Sequence, residues 1–190
     1  LTKSNLINKK IRFLMIAIMG SIILTISAKL KIPFYPVPMT MQTFVVLFLG
    51  VAFGYKIGLA TVGLYIFEGL IGLPVFSNSP EKGTGLVYFM GPTMGYLIGF
   101  LFAAFLTGFL KFDDWTKKNN FKYKFFVLNF IKLLISVSVI YFFGIIWLSQ
   151  FVGWDKVLLF GFKPFWLAEI FKIMILSFHI PTILKLRKII

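Results

Sequence analysis

The chain has 190 residues, of which 59% are hydrophobic and only 14% charged, and its mean hydropathy is +0.92. Soluble domains carry about 45–50% apolar residues, so this composition excludes an ordinary water-soluble fold and points to an integral membrane protein. Twenty Lys and Arg against six Asp and Glu give +14, and cysteine is absent, which excludes disulfides, thiolate metal sites and cysteine nucleophiles.

At roughly 20 apolar residues per helical crossing, the length allows about five to seven spans and leaves no room for a second domain. Six apolar runs are predicted as helices: Ile11 to Ala28, Thr40 to Phe53, Ile57 to Leu73, Pro92 to Leu110, Phe125 to Ser149 and Pro164 to Leu184. The expectation is an all-α membrane protein, one compact six-helix bundle over residues 1–190. The first run follows a basic stretch, but no small-x-small cleavage site stands near Ala28, so it reads as a helix and not as a signal peptide. Proline, glycine and charge punctuate the breaks, at Lys31 to Pro38, Gly54 to Lys56, Ser77 to Gly85, Asp113 to Lys124 and Trp154 to Lys163. Runs two and three are short for a core of about 30 Å, so they should line protein or a cavity.

The basic residues sort by side. With the N-terminus inside, the cytoplasmic segments hold Lys3, Lys9, Lys10, Arg12, Lys56, Lys111, Lys117, Lys118, Lys122, Lys124, Lys185, Arg187 and Lys188. The opposite side holds Lys29, Lys31, Lys82, Lys156 and Lys163, and only Lys132 and Lys172 fall within spans. This asymmetry places both termini in the cytoplasm by the positive-inside rule, and the +14 then requires no nucleic acid.

Small residues form two stripes. Gly91, Gly95, Gly99, Ala103 and Thr107 share one ridge of the fourth run, which suits close helix packing within the chain. Ala17, Ser21 and Thr25 form the second, which either packs internally or faces a partner. Ionisable groups at membrane depth carry more information, because each costs about 2.5–3.5 kcal/mol unless paired or hydrated. Glu169 and Lys172 project from one face of the sixth run, roughly 8–12 Å below its outer end. They are either a self-neutralising packing pair or the polar floor of an outward-opening cavity.

Other polar groups gather at the same level: Thr40, Gln42 and Thr43 open the second run, Asn78, Glu81 and Tyr88 precede the fourth, and Glu68 ends the third. Phe34, Tyr35, Phe76, Phe89, Tyr96 and Trp166 supply aromatic walls, so the expectation is an outward pocket. Lys132 can snorkel to the inner headgroups, and His179, the only histidine, reads as interfacial. No P-loop and no H-E-x-x-H occur, and one histidine without cysteine cannot build a multi-histidine or thiolate metal centre. Binding or transport is favoured over catalysis, with no cofactor or metal; the rivals are an intramembrane enzyme using Glu169 and Lys172 as acid and base, and a structural membrane subunit.

Several blocks in order along nearly the whole chain resemble one family: Lys31 to Thr43 (KIPFYPVPMTMQT), Gly72 to Phe76, Pro80 to Gly83, Gly91-Pro-Thr93 with Gly95 to Gly99, and Lys163-Pro-Phe165 followed by Glu169 and Lys172. They are similar to the BioY biotin transporters, the S components of energy-coupling factor (ECF) transporters. The resemblance implies a six-helix S-component fold in the plasma membrane, with biotin near the outer face under the loops after helices one and three. It implies Glu169, Lys172, Gln42, Asn78 and Tyr88 as biotin contacts, and a transmembrane T component with ATPases as partners. It also implies docking on helix one at Ala17 and Ser21, where the family carries Ala-x-x-x-Ala. Two departures stand out: Leu167-Ala168-Glu169 replaces the usual Pro-Gly-Asp, and Met94 replaces a glycine, with a narrowed cavity as one expected consequence.

Overall fold

Helices dominate because in lipid every backbone polar group must find its partner within the segment. A computed structural model of the chain describes residues 3–33, 35–117 and 122–187, and side chains from residue 7 onward. Phe34, Lys118 and Lys188, used above, lie outside the described residues, as does the side chain of Lys3.

Helix α1, Lys3–Lys29, shows the two-faced pattern of a peripheral span. Ile11, Leu14, Ile18 and Ile22 are exposed on one side, while Ala17, Ser21, Leu24 and Ala28 are buried on the other. The buried stripe packs on α2, and a Cβ at Gly20 would come within 2.5 Å of Thr61. This corrects the expected docking surface: Ala17 is 4% exposed and Ser21 0%, and the Ser21 hydroxyl donates to Glu68 Oε1 at 2.9 Å. Small residues at this spacing let α1 approach its own neighbour, and spacing alone did not choose between that and a partner.

A two-stranded antiparallel hairpin follows, β1 Lys31–Ile32 with β2 Met39–Thr40, pairing Lys31 with Thr40 and Ile32 with Met39. This proline-rich stretch, expected as a break between helices, carries the hairpin, and the second helix, expected from Thr40, starts at Gln42.

Helix α2, Gln42–Leu70, contains the expected break. Gly54 has φ 78° and ψ 173°, a conformation open to glycine because it lacks a Cβ, so the helix divides into limbs 42–53 and 55–70. Each limb alone is shorter than the hydrocarbon core. Accordingly 61% of the most apolar stretch of α2 is buried, against 33% for α1.

The connection to the next span holds the short helix α3, Leu86–Phe89. Helix α4, Met94–Phe109, then packs between α2 and α5, Lys122–Val152. Its small-residue ridge is internal, as expected. A Cβ at Gly99 would lie 2.6 Å from Ile140 Cα, so the two backbones are in direct contact. A short α6, Val157–Gly161, occupies part of the expected break, and α7, Trp166–Leu186, completes the chain. Counting the two limbs of α2 separately, α1, α2, α4, α5 and α7 supply six long helical segments. Among the described residues, four segments are long and apolar enough to cross a membrane: Ile7–Lys29, Gln42–Leu70, Lys122–Val152 and Val157–Leu186. The core lies among α2, α4, α5 and α7, with Val46, Tyr65, Ala103, Leu133, Ile140, Ile173 and Leu176 fully buried.

Candidate functional site

Because α7 begins at Trp166, Glu169 falls in its first turn and Lys172 one turn later. The N-terminal end of a helix favours a carboxylate, and a spacing of three brings the two side chains together. Both side chains are 7% exposed. The Lys172 ammonium donates to Glu169 Oε1 at 2.7 Å, to Thr43 Oγ1 at 3.0 Å and to the Thr40 carbonyl at 2.7 Å. An ammonium has three N–H donors, so Lys172 is fully committed. The Thr43 hydroxyl donates its hydrogen bond to Glu169 Oε1 at 3.0 Å. The second oxygen, Oε2, is buried without a hydrogen-bond partner, and the Tyr141 hydroxyl interacts electrostatically with the same carboxylate.

Glu169 borders a partly open cavity. Its polar surface comes from Gln42, Thr43, Tyr65 and Glu169; Phe76, Tyr88, Tyr96, Phe100, Tyr141 and Phe165 form aromatic walls; residues 37–40 of the hairpin lie across one side. The aromatic groups brace one another, with Tyr88 stacked on Phe76 at 4.6 Å between centroids and Tyr65 edge-on to Phe76 at 5.2 Å.

The sequence-derived residues separate here. Glu169, Gln42 and Tyr88 line the cavity. Gln42 Nε2 donates to the Tyr65 hydroxyl at 2.7 Å, which in turn donates to the Val75 carbonyl at 3.2 Å, while Tyr88 and Ser77 hydroxyls lie 3.3 Å apart. Lys172 does not line it. Its side chain borders an apolar groove on the other side of the Thr40 wall, with Leu30, Met41 and Phe44. Asn78 is also outside the lining; its Oδ1 accepts from Lys31 Nζ at 3.2 Å. Glu68, placed by sequence at the same level, turns instead to Ser21. Among the aromatics, Phe76 and Tyr96 line the cavity, whereas Tyr35 is 80% exposed and Trp166 lies on the surface. Met94 is absent from the lining while Thr93 is present, so the methionine does not narrow the cavity. His179 is exposed, with Nδ1 2.8 Å from the Ile175 carbonyl within its own helix.

Tyr65 and Tyr141 were missed. Each is a phenol within a long apolar run, and a buried phenol needs a partner, which is the signal that could have drawn attention to them.

A helical bundle with several membrane-spanning segments and an aromatic-walled cavity bordered by a buried carboxylate with one oxygen free of hydrogen bonds defines a multi-pass membrane protein of the binding or transport class. Residues 2–189 match the BioY family model, and the chain belongs to the BioY family. A probable biotin transporter BioY of Pyrococcus horikoshii is 30% identical over 148 residues, covering 78% of this chain and 81% of that protein. The biotin transporter BioY of Thermotoga maritima is 33% identical over 154 residues, covering 80% and 84%. The crystal structure of the S-component for biotin from an ECF-type ABC transporter superposes with a TM-score of 0.75 at 28% identity, covering 99% of this chain and 95% of that one. The chain is therefore a transport protein with the S-component fold, and the intramembrane-enzyme reading of Glu169 and Lys172 falls away.

Proposed function

We propose that the chain is the biotin-capturing S component of an ECF-type transporter, holding the vitamin in the Glu169 cavity. The observation that carries this reading is Glu169 Oε2, a buried acceptor that receives no hydrogen bond at the edge of an aromatic-walled cavity. A buried polar group left unpaired costs about 1–3 kcal/mol, and a ligand N–H recovers that cost on binding. Biotin brings two such donors on its ureido ring, together with an apolar thiophane suited to the walls of Phe76, Tyr96 and Phe165. Gln42 and Tyr88 complete the polar contacts. Lys172 acts chiefly through Glu169, holding the carboxylate in place; a ligand group reaching its ammonium must displace Thr40 or Thr43. Asn78 contributes through its loop, by way of Lys31.

In this reading residues 1–190 work as a single unit in the plasma membrane. The basic residues mark the cytoplasmic face, both termini lie inside, and the cavity opens outward. The chain carries no P-loop, so a T component with ATPases supplies the energy that returns biotin to the cytoplasmic side. With Ala17 and Ser21 internal, that T component meets the exposed apolar face of α1.

Thermal unfolding in detergent with biotin, desthiobiotin, thiamine and riboflavin tests the ligand. At 100 times Kd a ligand that binds only the native state adds about 2.7 kcal/mol, so biotin is expected to raise Tm while thiamine and riboflavin leave it unchanged. No shift with saturating biotin overturns the assignment. Uptake of labelled biotin by cells with and without T component and ATPases tests the partners.

A further inference from the structure

Two loops cover the cavity: the hairpin 31–40, and the connection after α2, whose Phe76 and Ser77 lie in the lining. They are tied together by amines. Lys29 Nζ, at the end of α1, donates to the Phe76 carbonyl at 2.7 Å, the Ser79 carbonyl at 2.6 Å and Ser79 Oγ at 3.4 Å. Lys31 Nζ, on β1, donates to the Ser77 carbonyl at 2.6 Å and to Asn78 Oδ1 at 3.2 Å. In the reverse direction Lys82 sits over the Tyr35 ring, 5.1 Å from its centroid. Four consecutive residues of one loop are thus gripped by the root of the other. None of these lysines lines the cavity.

Phe76, Ser77 and Ser79 are buried, so their carbonyls need partners from the protein. Two ammonium groups spent on them serve to fix the loop's position, since a charge-assisted hydrogen bond is shorter and stronger than a neutral one. The backbone that Lys29 and Lys31 hold is the same backbone that presents Phe76 and Ser77 to the cavity, whose rings and hydroxyls contact Tyr65 and Tyr88.

We infer that Lys29 and Lys31 are positioning residues that latch the 76–79 segment to the hairpin, so that the two loops open as one lid and a bound ligand leaves only when this latch releases. The inference rests on the biotin reading for the identity of the ligand, not for the latch itself.

The chain has no cysteine, so nitroxide labels at Ile32→Cys and Leu73→Cys report one inter-loop distance in the full-length protein in detergent, with no ligand added. The original lysines are expected to give a single narrow distribution. K29M/K31M is expected to broaden it, and to speed dissociation of labelled biotin roughly tenfold with little change in association, since a lost latch acts on the off-rate. K29R/K31R, which keeps the donors, is expected to restore a narrow distribution and slow release. An unchanged distribution in K29M/K31M overturns the latch. So does release within about twofold of the parent, measured on folded protein. If K29M/K31M does not fold, Lys31→Met alone is read in the same way. If the parent chain binds no biotin, the function assigned above fails, and the distance measurement still decides the latch.

Discussion

Two ion pairs in this molecule differ in their surroundings. Lys132 and Asp113, on the α4–α5 side, are 3.2 Å apart and partly exposed, with side-chain exposures of 24% and 33%. Lys132 also donates to the Lys111 carbonyl and lies over the Phe112 ring, while the Asn129 amide exchanges hydrogen bonds with the Asp113 backbone. That pair fastens a loop to a helix. Lys172 and Glu169 are closer, at 2.7 Å, and buried, yet one carboxylate oxygen has no partner and the carboxylate borders a cavity. In the proposed function the first pair serves the fold and the second keeps one acceptor for the ligand.

The sharpest way to break this comparison is Lys172→Met. It removes the ammonium from a buried carboxylate, and breaking a buried pair costs about 3–5 kcal/mol, so a large fall in Tm with loss of biotin binding is expected. A Tm close to that of the parent would mean that the carboxylate is not held as described. Next comes Glu169→Gln, which keeps the shape and one acceptor for Lys172 but replaces an acceptor oxygen with a donor. Biotin affinity is expected to fall roughly 100-fold, with less effect on Tm than Lys172→Met. Titration calorimetry giving parental affinity would return the pair to a packing role.

Ala17→Trp extends the comparison to a stripe whose role sequence left open. Its site is buried against α2, and overpacking costs about 1–3 kcal/mol, so Tm should fall, whereas Ile18→Trp on the exposed face should leave it unchanged. Equal effects at both positions would contradict the internal packing of the stripe. The smallest effect is expected for Asp113→Asn. A partly exposed pair is worth about 0–1 kcal/mol, so Tm should shift slightly and biotin affinity not at all. A loss of affinity there would erase the distinction between the two pairs.

Much of this was legible in the chain. Hydropathy located the apolar runs, because a backbone in hydrocarbon has few alternatives to a helix. Gly54 marked the break in α2, since a positive φ selects glycine, and the ridge of Gly95 and Gly99 announced the close approach of α4 to α5. Spacing of three put Glu169 and Lys172 on one face. The hairpin was not legible: two-residue strands around three prolines carry no alternating pattern long enough to recognise.

What the sequence determined by itself is what depends on local period and composition: membrane class, helical segments, the family blocks, and a charged pair at depth. What only the tertiary structure decided is which partner each group meets. It turned Ser21 to Glu68, gave Asn78 to Lys31, spent all three Lys172 donors on Thr40, Thr43 and Glu169, and brought Tyr65 and Tyr141 from distant runs to the cavity. Hydrogen-bond valence is satisfied across helices far apart in the chain, and one-dimensional spacing holds no record of that matching.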